Sequence, residues 1–183
     1  MAQSLRNRRW FRYLSHACRI IFALTFIVSG FFKAIDPWGT ALNVTNYLVA
    51  YNLEMLSPFV MIFSIWLCGA ELMMGCMLLF KVRIRMCSTF ATISMIFFTA
   101  LTFLSATFIP VEDCGCFGDA VILSNWETFG KNVVLLAMSL VVLRWRQYVF
   151  PLASVRFDWL IGLYGFLYIF CMVIYCYREL PVF

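Results

Sequence analysis

The chain has 183 residues, of which 64% are hydrophobic and only 13% charged, and its mean hydropathy is +0.90. This composition excludes a water-soluble domain, whose helices would carry polar outer faces that the long apolar runs here lack. The formal net charge of +5 calls for no nucleic-acid partner, because membrane insertion and contact with anionic lipid head groups explain it. The sequence therefore predicts an all-α, polytopic membrane helix bundle that forms a single transmembrane domain over residues 1–183.

Four apolar runs have about the 20 residues that a helix needs to cross about 30 Å of hydrocarbon. In chain order they are Ala17–Ile35, Pro58–Phe80, Met86–Ile109 and Trp159–Tyr177. We expect the first run to remain in the protein, because it is longer than an ordinary signal-peptide core and no convincing small-x-small cleavage site follows it. Between the first two runs, Trp38–Glu54 mixes asparagines with Leu, Val and Tyr, which favours an interfacial helix or a half-embedded loop.

A fifth membrane-spanning helix is predicted near residue 125, although its first residues are polar. Val133–Leu143 is too short to cross the membrane alone, but Ser124 can cap a helix that starts at Asn125, and Glu127 can complete a capping box. The prediction is therefore five transmembrane helices, a four-helix core over residues 17–145 and one more helix over residues 159–177.

The basic residues predict the orientation of these spans, since short connections rich in Lys and Arg stay on the cytoplasmic side. Eleven of the 14 basic residues fall on one side: Arg6, Arg8, Arg9, Arg12, Arg19, Lys81, Arg83, Arg85, Arg144, Arg146 and Arg156. We expect a cytoplasmic N-terminus and an extracytoplasmic C-terminus. The connection between the third and fourth spans, which contains "VEDCGCFGDA", then also faces outward.

Cys114 and Cys116 in that connection are the main candidate site. A disulfide across one residue closes so small a ring that it stabilises the fold little, and its strained geometry is typical of redox-active bridges. A static bridge that pins the loop remains the second interpretation. A metal site ranks third, because two thiolates flanked by acids lack a nearby histidine.

The other cysteines sort by depth along the helices. Cys18, Cys68, Cys76 and Cys87 fit small apolar fillers. Cys171 and Cys176 lie in the outer half of the last span, where Cys176 is a candidate relay to the Cys114–Cys116 pair.

Glu71 is the second candidate site, because an ionisable group well inside a span by default marks function. A neutral acid that specifies helix packing is the equal alternative. Counting 1.5 Å per residue places Lys33 about 15 Å from it in depth and places three hydroxyls at its level. We therefore expect Glu71 to face the interior and to bond to Ser94, Ser139 or Tyr164 rather than to Lys33.

Three stretches, "SGFFKAIDP", "CGAELMMG" and "EDCGCFGDA", resemble the bacterial DoxX/MauE-like family of small membrane proteins over roughly residues 17–145. The methylamine-utilisation members are implicated in maturing a disulfide-rich extracytoplasmic enzyme subunit alongside a thioredoxin-like partner. The resemblance implies a location in the bacterial cytoplasmic membrane. This chain departs from the family's usual four spans by a fifth, and members of that longer type often continue into an extracytoplasmic domain. A truncated or split form is therefore one interpretation of this sequence.

Two classes of function follow. The first is a thiol–disulfide oxidoreductase or electron-relay component that exchanges with an extracytoplasmic thioredoxin-like protein. The second is a non-enzymatic membrane scaffold whose Cys-Gly-Cys bridge shapes a docking loop. The sequence leaves open whether a quinone is the electron acceptor, because aromatic residues in membrane helices can line such a pocket but more often anchor the helices.

Overall fold

The computed structural model describes residues 2–108, 124–148 and 158–179. Within them the chain forms six α-helices: α1 (Ala2–Ile35), α2 (Pro37–Ala50), α3 (Val60–Leu79), α4 (Ile84–Thr107), α5 (Asn125–Trp145) and α6 (Asp158–Glu179). A 3₁₀ helix, Glu54–Phe59, leads into α3, and another, Arg146–Tyr148, follows α5.

Five of these helical segments are long and apolar enough to cross a membrane. They are Trp10–Ile35, Glu54–Leu79, Ile84–Thr107, Asn125–Trp145 and Trp159–Glu179. This confirms the predicted all-α fold with five membrane-spanning helices. The predicted boundaries differ by only a few residues, except that α1 extends through the arginine-rich N-terminal segment.

The capping box that was predicted from Ser124 and Glu127 begins α5. The Glu127 carboxylate accepts from the Ser124 backbone N–H at 2.9 Å, and the Ser124 hydroxyl accepts from the Glu127 backbone N–H at 3.4 Å. These two bonds satisfy backbone donors that the first helical turn leaves unpaired. The polar beginning of α5 is therefore part of the helix, as the prediction required.

Asp36 and Pro37 separate α1 from α2. The Asp36 side chain accepts from the Gly39 backbone N–H at 2.8 Å, and Pro37 occupies the first helical position, where its missing N–H costs nothing. For Trp38–Glu54 the sequence allowed either an interfacial helix or a half-embedded loop, and the segment is largely helical. It packs against α3 and buries Thr40 and Ala41.

Helices α1 and α3 pack at very short distance because glycines line their contact. A Cβ added at Gly30 would lie 2.6 Å from the Leu72 backbone nitrogen, and one at Gly75 would lie 2.8 Å from the Ile27 backbone nitrogen. Small residues permit this close approach between membrane helices. Residue 30 of α1 thus lies beside residue 72 of α3, and residue 27 beside residue 75, so the two helices are antiparallel. The same contacts set the depth of one helix relative to the other.

Helices α4 and α5 form a second antiparallel pair. The Asn132 amide donates to the Thr102 hydroxyl at 3.3 Å, and the Thr92 hydroxyl donates to the Ser139 carbonyl at 3.4 Å. Such interhelical bonds stabilise membrane bundles modestly. The contact between α3 and α4 is much sparser than either pair's own contact.

Seven described basic residues lie at one end of the bundle, which we call the arginine cluster: Arg12, Arg19, Lys81, Arg83, Arg85, Arg144 and Arg146. Phe11 stacks on Trp145 at 4.8 Å, and Arg146 donates to the Arg85 carbonyl at 3.2 Å. Buried Arg19 donates to the Leu79 carbonyl at 2.8 Å. Since α4 leaves this end and α5 returns to it, the connection that carries Cys114 and Cys116 starts and finishes at the opposite end. Which end faces the cytoplasm stays a prediction.

Candidate functional site

A buried ion pair joins α1 to α3. The Lys33 ammonium lies 2.7 Å from Oε1 and 2.8 Å from Oε2 of Glu71, and the two residues are only 6% and 5% exposed. Charges at membrane depth are costly and almost always face the bundle interior in pairs. The interior position predicted for Glu71 is therefore confirmed.

Two further side chains bond to this pair. The Ser29 hydroxyl donates to Glu71 Oε2 at 3.1 Å, and the Cys68 thiol donates to the Lys33 carbonyl at 3.3 Å. Cys68 is fully buried. The carboxylate thus accepts three hydrogen bonds, which is what a charged carboxylate needs where water is scarce.

The predicted partners of Glu71 were wrong. Ser94 is half-buried on α4, the buried Ser139 hydroxyl donates to the Leu136 carbonyl at 2.8 Å, and Tyr164 on α6 is 77% exposed. The carboxyl group of Glu71 bonds to Lys33 and Ser29 instead.

The error came from assuming that the outer ends of the spans lie level. Gly30 of α1 packs directly on Leu72 of α3. Because the helices are antiparallel, Lys33 lies within about one helical turn of Glu71 in depth, not about 15 Å away. Helix α1 ends at Ile35, whereas α3 and its preceding 3₁₀ helix continue to Glu54 beside α2. Lys33 is consequently an interior residue and not an interfacial one.

The ion pair lines a cavity of about 640 Å³ between the α1–α3 pair and the α4–α5 pair. The walls are mostly apolar and aromatic. Their polar residues come from five helices and from Tyr51, which follows α2: Thr25, Ser29, Lys33, Thr40, Asn43, Tyr47, Tyr51, Glu71, Ser94, Thr102, Lys131 and Asn132. Concave, mainly apolar cavities with a few convergent polar groups are typical small-molecule sites.

The wall opposite the ion pair carries its own polar group. Asn132, 4% exposed, donates to Thr102 across the α4–α5 contact, and Lys131 precedes it on α5. The sequence prediction missed Ser29, Lys33 and Asn132 as site residues. A lysine in one span and a glutamate in the next was the available signal for the ion pair.

The predicted redox residues are placed only in part. Cys114 and Cys116 lie outside the described residues, which end at Phe108 and resume at Ser124. Cys176 is 7% exposed on α6. Cys68 and Cys87 are buried, while Cys18 and Cys76 are partly buried, as small apolar fillers would be.

Neither a search of curated proteins nor a search of solved structures gave a match. A family model, described as methylamine utilisation protein MauE, matches residues 11–145. This match covers the region for which the resemblance was noted, while a link to DoxX and a bacterial origin remain predictions. Together with five helices able to span a membrane, it shows that this multi-pass membrane protein belongs to the MauE family.

Proposed function

We propose that this protein supports the maturation of an extracytoplasmic protein through thiol–disulfide exchange at Cys114 and Cys116. The observation that carries the proposal is the Cys-Gly-Cys segment, which joins α4 to α5 at the bundle end opposite the arginine cluster. Membership of the MauE family supports a role in maturation. The proposal does not extend to methylamine as a ligand of this chain.

The exchange runs in the oxidising direction. A thiolate of a thioredoxin-like partner attacks one sulfur of the Cys114–Cys116 disulfide and releases the other as a thiolate, which forms a mixed disulfide. The partner's second thiolate then attacks the mixed bond, so that the partner gains a disulfide and this chain is left with two thiols. Strained, exposed disulfides favour this reaction because their reduction potentials are high.

The trapping experiment uses the full chain in its native membrane with Cys116→Ser. In this variant the lone Cys114 thiolate attacks the disulfide of the oxidised thioredoxin-like partner, the reverse of the exchange above, and displaces one partner thiolate. Alkylation of that released thiol with N-ethylmaleimide should trap the mixed disulfide, which a non-reducing gel followed by mass spectrometry would identify. Cys171→Ser, at an exposed thiol on α6, is the matched control and should trap nothing. In the unmodified chain, after reduction, a membrane-impermeant maleimide should label Cys116 from the extracytoplasmic side.

The same variants test the scaffold alternative. If Cys116→Ser traps no partner, and the Cys114→Ser/Cys116→Ser variant still supports maturation of the target in cells, the segment is a docking loop and the redox proposal fails.

A further inference from the structure

We propose that the cavity beside Lys33 and Glu71 binds a lipid-soluble quinone, which reoxidises the Cys114–Cys116 pair. The inference rests on the proposed thiol–disulfide function for its role in the reaction. Its binding site, however, stands on geometry that can be tested without the cysteines.

The cavity is accessible from the membrane. Phe63 on α3 and Ile93 and Phe97 on α4 line it, and each is more than half exposed. Because both helices span the membrane, we infer that these side chains reach the lipid. These residues flank the sparse α3–α4 contact. A hydrophobic ligand can therefore enter sideways from the bilayer without crossing water.

The walls of the cavity suit a flat head group that carries two polar atoms. The Lys33–Glu71 pair with Ser29 lies on the α1–α3 wall, and Asn132 with Thr102 lies on the α4–α5 wall. A lipid acyl chain would gain nothing from these groups and would have to desolvate them. A quinone carries a carbonyl on each side of its ring, and the positive Lys33 ammonium on one wall and the Asn132 amide on the other complement these two oxygens.

The size and lining of the cavity agree with this ligand. A volume of about 640 Å³ falls within the range of roughly 300–1,000 Å³ that small-molecule sites occupy. Phe26 and Phe98 add aromatic faces on which a planar ring can stack.

The cavity also lies close to the predicted redox segment. Leu101 on α4 and Lys131 on α5 line it, and each lies seven residues from the point where the connection containing Cys114 and Cys116 begins or ends. At 1.5 Å per residue this is about 10 Å along either helix. A quinone in the cavity is thus about two helical turns from the thiols' anchoring points.

The overall reaction is balanced by the quinone alone. The S–H bonds of Cys114 and Cys116 break and one S–S bond forms, which releases two electrons and two protons. Both electrons and both protons pass to the quinone, whose two C=O groups become C–OH groups of the quinol. Lys33 lines the cavity, and its ammonium would stabilise the negative charge that develops on a quinone oxygen bound beside it.

The binding test uses the purified full chain in lipid nanodiscs with a decyl-quinone that carries a photoreactive azide. We expect crosslinks on the lining segments of α3 and α4, displaced by unlabelled decyl-quinone and at least tenfold less well by decylbenzene, which shares the tail but has no carbonyl. Equal displacement by decylbenzene would identify an acyl-chain groove and overturn the proposal, as would crosslinks confined to other surfaces.

Two phenylalanine substitutions give a matched comparison. Ala70→Phe fills the cavity and should weaken quinone binding at least tenfold, whereas Ala100→Phe, at an exposed alanine on α4 that does not line the cavity, should leave binding unchanged. Equal binding by both variants contradicts the proposal. If Ala70→Phe does not fold, the crosslink map of the unmodified chain decides.

The Cys114→Ser/Cys116→Ser variant separates this inference from the proposed function. It should bind decyl-quinone as well as the unmodified chain does but should no longer reduce it when a dithiol is supplied. If the unmodified chain binds decyl-quinone but does not reduce it when a dithiol is supplied, the role in reoxidation is refuted and the quinone site remains. If the unmodified chain exchanges disulfides with its partner but does not bind decyl-quinone, the quinone site is refuted and the proposed function remains.

Discussion

Replacing Glu71 by glutamine should destabilise the bundle strongly, although the two side chains have nearly the same shape. Both carboxylate oxygens lie within 2.8 Å of the Lys33 ammonium, and each residue is less than 10% exposed. The substitution leaves that ammonium buried without a counter-charge. It keeps an oxygen that can still accept from Ser29, so the loss reports mainly on the ion pair.

The expected cost follows from the burial of the pair. Removing one partner of a buried ion pair costs about 3–5 kcal/mol, because the remaining charge is uncompensated. At 1.4 kcal/mol for each factor of ten, this lowers the folding equilibrium constant about 100- to 4,000-fold. Replacing both partners by apolar residues is often close to neutral, so Lys33→Met/Glu71→Leu should be more stable than either single variant.

The measurement is reversible unfolding in mixed micelles of lipid and denaturing detergent, followed by circular dichroism. Glu54→Gln is the matched control, since Glu54 is exposed in the 3₁₀ helix before α3, and it should change the free energy of unfolding by about 0.5 kcal/mol or less. The reasoning is refuted if Glu71→Gln behaves like this control. It is refuted equally if the double variant loses the sum of the two single losses.

Three further substitutions test the contacts that hold the helices together. Gly30→Ala should cost about 1–3 kcal/mol, because the added Cβ meets backbone atoms of α3. Gly130→Ala is its control: an added Cβ there would meet nothing within 4 Å beyond its own helix backbone, so this variant should not be destabilised in the same unfolding assay. Arg19→Gln should lower the melting temperature, because a charged hydrogen bond to the last carbonyls of α3 is worth about 1.5–3 kcal/mol, while exposed Arg12→Gln should not. Ser124→Ala should cost about 1 kcal/mol by removing the cap of α5, and hydrogen exchange should be faster only in that helix's first turn.

The helices could be predicted from the sequence because their signals are local. Runs of apolar residues set the length of a span, and the pair Ser124 and Glu127 set the start of α5 through bonds three residues apart. Asp36 and Pro37 separate two helices by the same kind of local chemistry. None of these features depends on how the helices pack.

The partner of Glu71 could not be predicted because it depends on the depth of one helix relative to another. Two glycine contacts between α1 and α3 set that depth, and a count from assumed membrane boundaries does not include them. The cavity is a tertiary feature for the same reason: Ser29 and Asn132 lie about a hundred residues apart in the chain but line one space. The sequence did predict that Glu71 faces inward, since an ionisable group at that depth is costly to expose to lipid.

The ion pair also has a consequence for how the protein is made. Lys33 is synthesised 38 residues before Glu71, and at 5–20 residues per second a ribosome takes about two to eight seconds to add them. During that time α1 enters the bilayer before the Glu71 counter-charge of its ammonium exists, and the long side chain of Lys33 can extend toward the head groups. When α3 is inserted, Glu71 pairs with that ammonium inside the bundle. Helix α1 therefore reaches its final position only after α3 has been inserted.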